Sequence, residues 1–195
     1  ALRDTPASTF LKSLDLPSAK AILVISAHWM TAEPRITAHP NPTTIHDFGG
    51  FPQPLYDMQY RVPGNAKLAA DILDCLRPTF PQSSLDKERG LDHGAWIPLI
   101  LAVPEANIPV LQLSIQPRQD ARYHYKIGQC LRDLREQGVI IMGSGSATHN
   151  LRGVFGQRYT EVPAEVTRFN EWLYKTMLNR DDEALMDWEQ APDAL

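Results

Sequence analysis

The segment KAILVISA, residues 20–27, is a continuous apolar run that ends at His28 and Trp29. Its length and composition predict a strand that is buried on both faces of a sheet. Three other short segments also predict strands, and they lie at residues 35–38, 108–115 (IPVLQLSI) and 138–142 (GVIIM).

Helical patterns lie between and after these strands. Apolar residues recur on one helical face in residues 65–77 and 121–137, and again in residues 163–178. Residues 94–103 predict a short buried helix. Strands that alternate with helices indicate an α/β fold, a three-layer αβα arrangement with a mostly parallel central sheet.

Residues 34–63 are rich in proline and have little periodicity, which predicts a long ordered loop. Loops of this length in a compact domain are commonly functional. The loop and the C-terminal part are therefore expected to select the substrate.

The composition is that of one soluble domain, expected to span residues 1–195. The chain has 195 residues, 43% of them hydrophobic, which is enough for a sizeable core. A net charge of -4 with scattered Lys and Arg argues against nucleic acid as a partner, and no apolar run predicts a membrane span. Two cysteines without CxxC spacing indicate buried free thiols and a cytoplasmic location.

Four of the six histidines lie in short runs of small or apolar residues. His28 directly follows one predicted strand, and His149 follows another through a Gly-Ser-Gly-Ser loop, so both are expected to face one crevice. Imidazole binds divalent metals and exchanges protons near neutral pH, which indicates a metal or acid/base site. Two other interpretations remain open: His28 as a core histidine, and the small-residue loop as an anion site that lacks a P-loop lysine.

The other histidines have different contexts. His93 lies at the entry to a predicted helix, where it could act as a general acid or base; alternatively, Asp92 caps that helix and His93 is a bystander. His46 lies in the long loop beside Asp47, but neighbours in sequence do not normally pair. His39 and His124 are expected to be structural.

Several motifs together resemble the 4,5-DOPA extradiol dioxygenase-like family, which is related to the catalytic subunit of protocatechuate 4,5-dioxygenase. The resemblance runs from Asp4 to Arg152. Its motifs are SAHW (26–29), TIHDFGGFP (44–52), LDHGAW (91–96), IPVLQLSI (108–115) and THNLR (148–152).

The resemblance implies an αβα enzyme with a non-haem Fe(II), which zinc often replaces in recombinant protein. It implies that O2 opens a catechol-type ring, such as that of DOPA, next to the hydroxyls. By motif, His28 matches a metal ligand, and His149 matches a ligand or the catalytic base. His93 matches a catalytic histidine, and His46 matches one that binds substrate.

The chain also departs from the family pattern. A ligand histidine in a His-Gly-Ser-Pro motif is expected before residue 1, and a further ligand histidine beyond Leu195, so the domain 1–195 is expected to lack both terminal segments. A zinc-dependent hydrolase, or a non-catalytic binding protein on the same fold, remains an alternative.

Overall fold

The computed structural model describes residues 3–14, 16, 19–149 and 161–194. The chain divides into two compact units. The first comprises Ala1–Arg118 with Ile127–Gly145, and the second comprises Gln119–Lys126 with Ser146–Leu195. The expectation of a single domain over residues 1–195 stays a prediction.

The first unit contains a five-stranded sheet. Its strands are β1 (Ala21–Met30), β2 (Arg35–Thr37), β3 (Ser84–Asp86), β4 (Val110–Ile115) and β5 (Val139–Ser144). The strand order is β3-β2-β4-β1-β5. β1 pairs in parallel with β4 and with β5, and β2 pairs in parallel with β3; β2 and β4 are antiparallel. The sheet is therefore mostly parallel.

Helices of the first unit flank this sheet, so the predicted α/β fold class is confirmed. The helices of both units, among the described residues, are α1 (Pro6–Lys12), α2 (Gln53–Asp57), α3 (Ala66–Leu76), α4 (His93–Ala102), α5 (Ala121–Cys130), α6 (Ala164–Asn179) and α7 (Asp182–Met186). Short 3₁₀ helices follow at Arg132–Leu134 and Trp188–Gln190.

β1 lies in the middle of the first unit because its side chains are apolar on both faces. Ile22 and Val24 pack in one cluster with Trp96 and Leu99 of α4. Leu23 is equally buried and, by strand alternation, points to the opposite face. Each such side chain stabilises the fold by about 1.5–3 kcal/mol relative to exposure. This burial holds β1 and α4 together, and both carry candidate site residues.

The capping residue and the apolar pattern of residues 65–76 explain why α3 is a helix. Asn65 lies at the N-cap, and its side chain accepts the backbone N–H of Leu68 at 3.0 Å. The apolar residues predicted to share one face are all buried, namely Leu68, Ala69, Ile72, Leu73 and Leu76. The helix prediction for residues 65–77 is therefore confirmed apart from its ends.

Several local predictions need correction. α1, α2 and β3 were not predicted. In the segment 34–63 the strand predicted at residues 35–38 is confirmed as β2, but the remainder contains α2 rather than loop alone. The helix expected over residues 121–137 stops at Cys130, where the backbone tightens into the 3₁₀ turn. Gly138 ends that region with φ of 84°, as expected of a C-cap glycine. Both cysteines are free, but neither is buried as predicted: Cys75 is exposed and Cys130 is half-buried.

The second unit contains α6 and α7. The predicted apolar stripe of α6 is half-buried, at Val166, Phe169, Trp172 and Leu173. Within this unit Arg122 forms ion pairs with Glu183 at 3.0 Å and Asp187 at 2.8 Å. A search of the described residues finds no helix with the length and apolar character that a bilayer crossing requires.

Candidate active site

The carboxyl end of β1 is irregular and presents His28. The pairing of β1 with β4 shifts register between Ile25 and Met30, as a β-bulge does. Bulges are frequent beside active sites because they re-aim a side chain. The bulged segment contains His28, which is exposed, and the backbone N–H of His28 donates to Ser26 Oγ at 3.1 Å. His28 thus lies at the sheet edge where parallel α/β folds bind ligands.

His93, the first residue of α4, is held by a carboxylate from the segment before α2. Asp47 Oδ1 accepts the backbone N–H of His93 at 2.9 Å and lies 2.8 Å from His93 Nδ1. Because a carboxylate accepts hydrogen bonds, this pairing assigns a proton to Nδ1 of His93. His93 Nε2 is left outside the pair and is available to substrate or metal.

The same contact keeps Asp47 ionised. Partial burial acts to raise the pKa of Asp47. The backbone N–H, the imidazole hydrogen bond and the charge of His93 together outweigh burial, so the pKa lies below its ordinary value. Asp47 is therefore a carboxylate acceptor for His93 at neutral pH.

His28, Asp47 and His93 form one group of potential metal ligands. One ligand atom from each residue lies within 4.8 Å of those of the other two. The imidazole rings of His28 and His93 have centroids 3.9 Å apart and planes tilted by 46°. Two imidazoles and a carboxylate are ligand types that non-haem iron and zinc both accept. The donor chemistry of the group therefore fits a divalent metal.

An aromatic wall adjoins this group, and Phe48 is its centre. The Phe48 ring centroid lies 5.7 Å from that of His93 in an edge-to-face arrangement. The other wall members surround Phe48 with ring centroids 5.2–6.1 Å away: Tyr56, Phe51, His46 and Trp96. Aromatic faces and edges at these separations offer a surface for a planar aromatic ligand.

His46 belongs to the wall and is not in the metal-ligand group found among the described residues. Its Nε2 lies 2.9 Å from the carbonyl oxygen of Met58, which accepts a hydrogen bond from it. Its ring is edge-to-face with Trp96, at a centroid distance of 5.5 Å. The ring of Phe48 is a neighbour of both His46 and His93.

Gly94 allows α4 to approach β1. An added Cβ at this residue would lie 2.3 Å from Ser26 Oγ and 3.2 Å from His28 Cδ2. The carbonyl oxygen of Gly94 also accepts a short hydrogen bond from Ser144 Oγ of β5. The first turn of α4 thus packs closely against β1 and is hydrogen-bonded to β5. This arrangement places His93 beside His28.

The structure brings together two of the predicted site residues, His28 and His93, and places His46 nearby. His149 is exposed and belongs to the second unit, so its presence in the same crevice stays a prediction. The rest of its motif, residues 150–152, lies outside the described residues. Asp47 was missed as a functional residue; the sequence offered only its position in the long loop.

The alternative interpretation of Asp92 as a capping residue is confirmed for its position but not for its side chain. Asp92 occupies the N-cap position of α4, but its side chain makes no capping hydrogen bond. Its carboxylate is instead fully buried, and it accepts hydrogen bonds from Ser26, Gln112 and Arg89.

Fold and site together define a class: an α/β protein whose potential metal ligands and aromatic wall lie at the carboxyl edge of a mostly parallel sheet. The chain matches the family model described as the catalytic LigB subunit of aromatic ring-opening dioxygenase over residues 6–192. Because this match covers nearly all of its residues, the chain belongs to that family.

Similar proteins support the assignment. The chain is 44% identical over 189 residues to a 4,5-DOPA dioxygenase extradiol of Beta vulgaris, covering 94% of this chain and 70% of that protein. It is 47% identical to one of Mirabilis jalapa, covering 67% of this chain, and 44% identical to one of Escherichia coli K12, covering 82%. The chain spans 49% and 59% of the lengths of these two relatives.

A solved structure has the same fold. The crystal structure of an uncharacterized protein from Escherichia coli K12 matches with a TM-score of 0.82 and 30% identity, covering 100% of this chain and 76% of that one. These comparisons confirm the predicted family and the prediction of an extradiol aromatic ring-opening dioxygenase. The possible metal site agrees with the non-haem metal that this family uses.

Proposed function

We propose that the protein opens a catechol-type ring, DOPA-like in its substituents, next to its two hydroxyls, with O2 as oxidant and Fe(II) as the metal. The observation that carries this proposal is the group of His28, Asp47 and His93 beside an aromatic wall. Metal-binding and proton-transfer side chains thereby lie within reach of a surface suited to an aromatic ring. The relatives named as 4,5-DOPA dioxygenases support the choice of substrate class.

In this proposal His28 and His149 hold the metal, whereas His93, which is paired with Asp47, takes part in proton transfer or orientation. When bound, Fe(II) supplies Lewis acidity toward the catechol hydroxyls and a redox centre for O2. Exposed His28 can reach such a centre from the bulged end of β1. His149 is assigned here either as a ligand or as the base that takes a hydroxyl proton.

His93 is assigned an acid/base or orienting role through Nε2. The contact with Asp47 holds Nδ1 in its protonated form, so Nε2 is the nitrogen that can take a proton or hold an oxygen atom. The carboxylate also fixes the plane of the ring. Asp47 therefore acts on the reaction through His93, as a positioning residue.

The aromatic wall is assigned to substrate binding. Phe48 is half-buried and Phe51 is 55% exposed, so both rings retain surface for a ligand. His46, whose Nε2 is engaged by Met58, presents the rest of its ring to the wall. Tyr56 and Arg61 of the same segment are further candidates for contact with substituents or a carboxylate of the substrate.

The test uses the full-length protein, stripped of metal and reloaded anaerobically with Fe(II) or Zn(II). It is mixed with a panel of catechols that includes L-DOPA, and O2 uptake is followed together with the coloured semialdehyde product. We expect one O2 consumed per ring opened, with iron alone. Zn(II)-dependent cleavage of an ester or amide, with no O2 uptake on any catechol, would favour a zinc-dependent hydrolase. Bound iron with no turnover of any catechol would contradict the proposal for those substrates.

Single variants assign the histidines. His28→Ala and His149→Ala are each expected to abolish O2 uptake. His39→Ala is the matched control, because the ring of His39 only accepts the backbone N–H of Asn41, at 3.0 Å, and is not part of the metal-ligand group. Loss of uptake in all three variants alike would indicate a general loss of folding and would remove support for the assigned roles.

A further inference from the structure

A chain of buried polar side chains runs beneath the candidate active site and crosses β2, β4 and β1. Its members are all at most 3% exposed: Thr37, Gln112, Asp92 and Ser26. At one end, Thr37 Oγ1 accepts the backbone N–H of Gln112 at 2.8 Å. At the other end, Ser26 Oγ accepts the backbone N–H of His28. The chain therefore ends at a residue of the site.

Asp92 is the centre of this chain, and both of its carboxylate oxygens are paired. Oδ1 accepts a hydrogen bond from Ser26 Oγ at 2.7 Å, and Oδ2 accepts one from Gln112 Nε2 at 2.8 Å. The backbone N–H of Asp92 donates to Gln112 Oε1 at 3.0 Å. Arg89 supplies the compensating charge at 3.3 Å, and its guanidinium lies over the ring of Trp29.

Burying a carboxylate in this way costs free energy. A carboxylate removed from water loses its hydration, and buried ion pairs are often no better for stability than apolar residues of similar volume. The carboxylate of Asp92 makes no capping hydrogen bond to α4 either. The burial of Asp92 is therefore better explained by the groups that its carboxylate orients than by a gain in the stability of the fold.

The direction of the hydrogen bonds shows what is oriented. Ser26 has one hydroxyl proton, which it donates in a hydrogen bond to Asp92. A lone pair of Ser26 Oγ is therefore turned toward the N–H of His28. The bulge leaves that N–H in need of an acceptor because the regular pairing with β4 is interrupted there. Asp92 also directly precedes His93, so one carboxylate is linked to the backbone of both histidines.

We propose that Asp92 and Ser26 are positioning residues that fix the His28 bulge and the start of α4, and so hold the two imidazoles in the arrangement that metal and substrate require. This role rests on the proposed function of His28 and His93. It adds two buried residues that contact neither substrate nor metal.

The first experiment compares Ser26→Ala with Ser83→Ala in the full-length, metal-free protein. Ser83 is the matched control, since it is also buried and its Oγ donates to the carbonyl oxygen of Phe80 at 2.7 Å. Amide hydrogen exchange of His28 should become at least about 5-fold faster in Ser26→Ala and stay unchanged in Ser83→Ala. Imidazole ¹H–¹⁵N spectra should show altered signals of His28 and His93 in Ser26→Ala alone.

The second experiment measures Zn(II) affinity by competition with a coloured chelator. Ser26→Ala is expected to weaken binding about 10–100-fold, as loss of a residue that orients a ligand does, and Ser83→Ala is expected to have no effect. Asp92→Asn should act in the same direction, because it replaces one of the two acceptor oxygens, which face Ser26 and Gln112, by an NH2 donor. Ser26→Ala remains informative if Asp92→Asn does not fold.

The outcomes separate this inference from the proposed function. Equal His28 exchange and equal imidazole spectra in Ser26→Ala and Ser83→Ala would overturn the positioning role, whatever the enzyme catalyses. Faster His28 exchange in Ser26→Ala, in a protein that opens no catechol, would support the positioning role and contradict the proposed function instead.

Discussion

Gly94→Ala should damage the site because α4 lies too close to β1 for a methyl group. An ideal Cβ at residue 94 would lie 2.3 Å from Ser26 Oγ, 3.1 Å from Asp92 Oδ1 and 3.2 Å from His28 Cδ2. The normal separation of such atoms is about 3.5 Å. Ser26 and Asp92 are buried and hydrogen-bonded to each other, so they cannot simply turn away. The end of β1 or the start of α4 has to move, and His28 moves with it.

The magnitude follows from two opposing contributions. Replacing a helical glycine by alanine gains about 0.5–1 kcal/mol of stability through the backbone. Overpacking of a tight site costs about 1–3 kcal/mol. Gly128→Ala in α5 is the matched control, because its Cβ would meet nothing within 4 Å. The difference between the two variants should therefore be about 1–3 kcal/mol, with Gly94→Ala the less stable.

Urea unfolding of both variants measures this difference, and the rate of catechol opening measures its effect on the site. We expect Gly128→Ala to be as active as the unaltered protein and Gly94→Ala to lose at least about 10-fold, because a displaced His28 misplaces the metal. A Gly94→Ala variant that equals Gly128→Ala in both stability and activity would refute the close packing of α4 on β1.

Three further predictions concern other residues. Asp47→Asn should lower kcat about 10–100-fold with little loss of stability in urea, because His93 loses the carboxylate that orients it; unchanged kcat would contradict that role. Phe48→Leu should raise KM for catechols more than it lowers kcat, since an aromatic contact is lost, and steady-state kinetics separate the two. Burial and the charge of Glu105 raise the pKa of Tyr60 to about 12 from 10.0, so its neutral form stabilises the fold fully below about pH 10. As the pH rises from about 10 to 12, up to about 3 kcal/mol of the free energy of unfolding is lost. Tyr60→Phe should be about 1 kcal/mol less stable at about pH 8, because the bond to the Val103 carbonyl is gone, and should lose less stability than the unaltered protein at alkaline pH; parallel losses in pH-dependent urea unfolding would count against the assignment.

Much of the sheet could be predicted because its central strands are locally encoded. Continuous apolar runs predicted β1, β4 and β5 close to their observed bounds, since strands buried on both faces require apolar side chains at successive positions. β3 gave no such signal. It consists of Ser84–Asp86, is only half-buried, and is a strand because β2 pairs with it. Short elements of this kind depend on a partner rather than on their own pattern.

The same distinction between local patterns and long-range contacts applies to the site. The sequence by itself determined that a buried strand leads to His28 and that His93 lies at the start of a helix, because both features are encoded by neighbouring residues. It placed the end of the strand too early, since β1 extends to Met30 and includes His28. Only the tertiary structure decided that Asp47 pairs with His93 rather than with adjacent His46, and that the Asp92 carboxylate turns inward to Ser26. Such contacts join residues 46 and 66 positions apart. Their formation depends on how β1, α4 and the long segment before α3 pack together, which local periodicity does not encode.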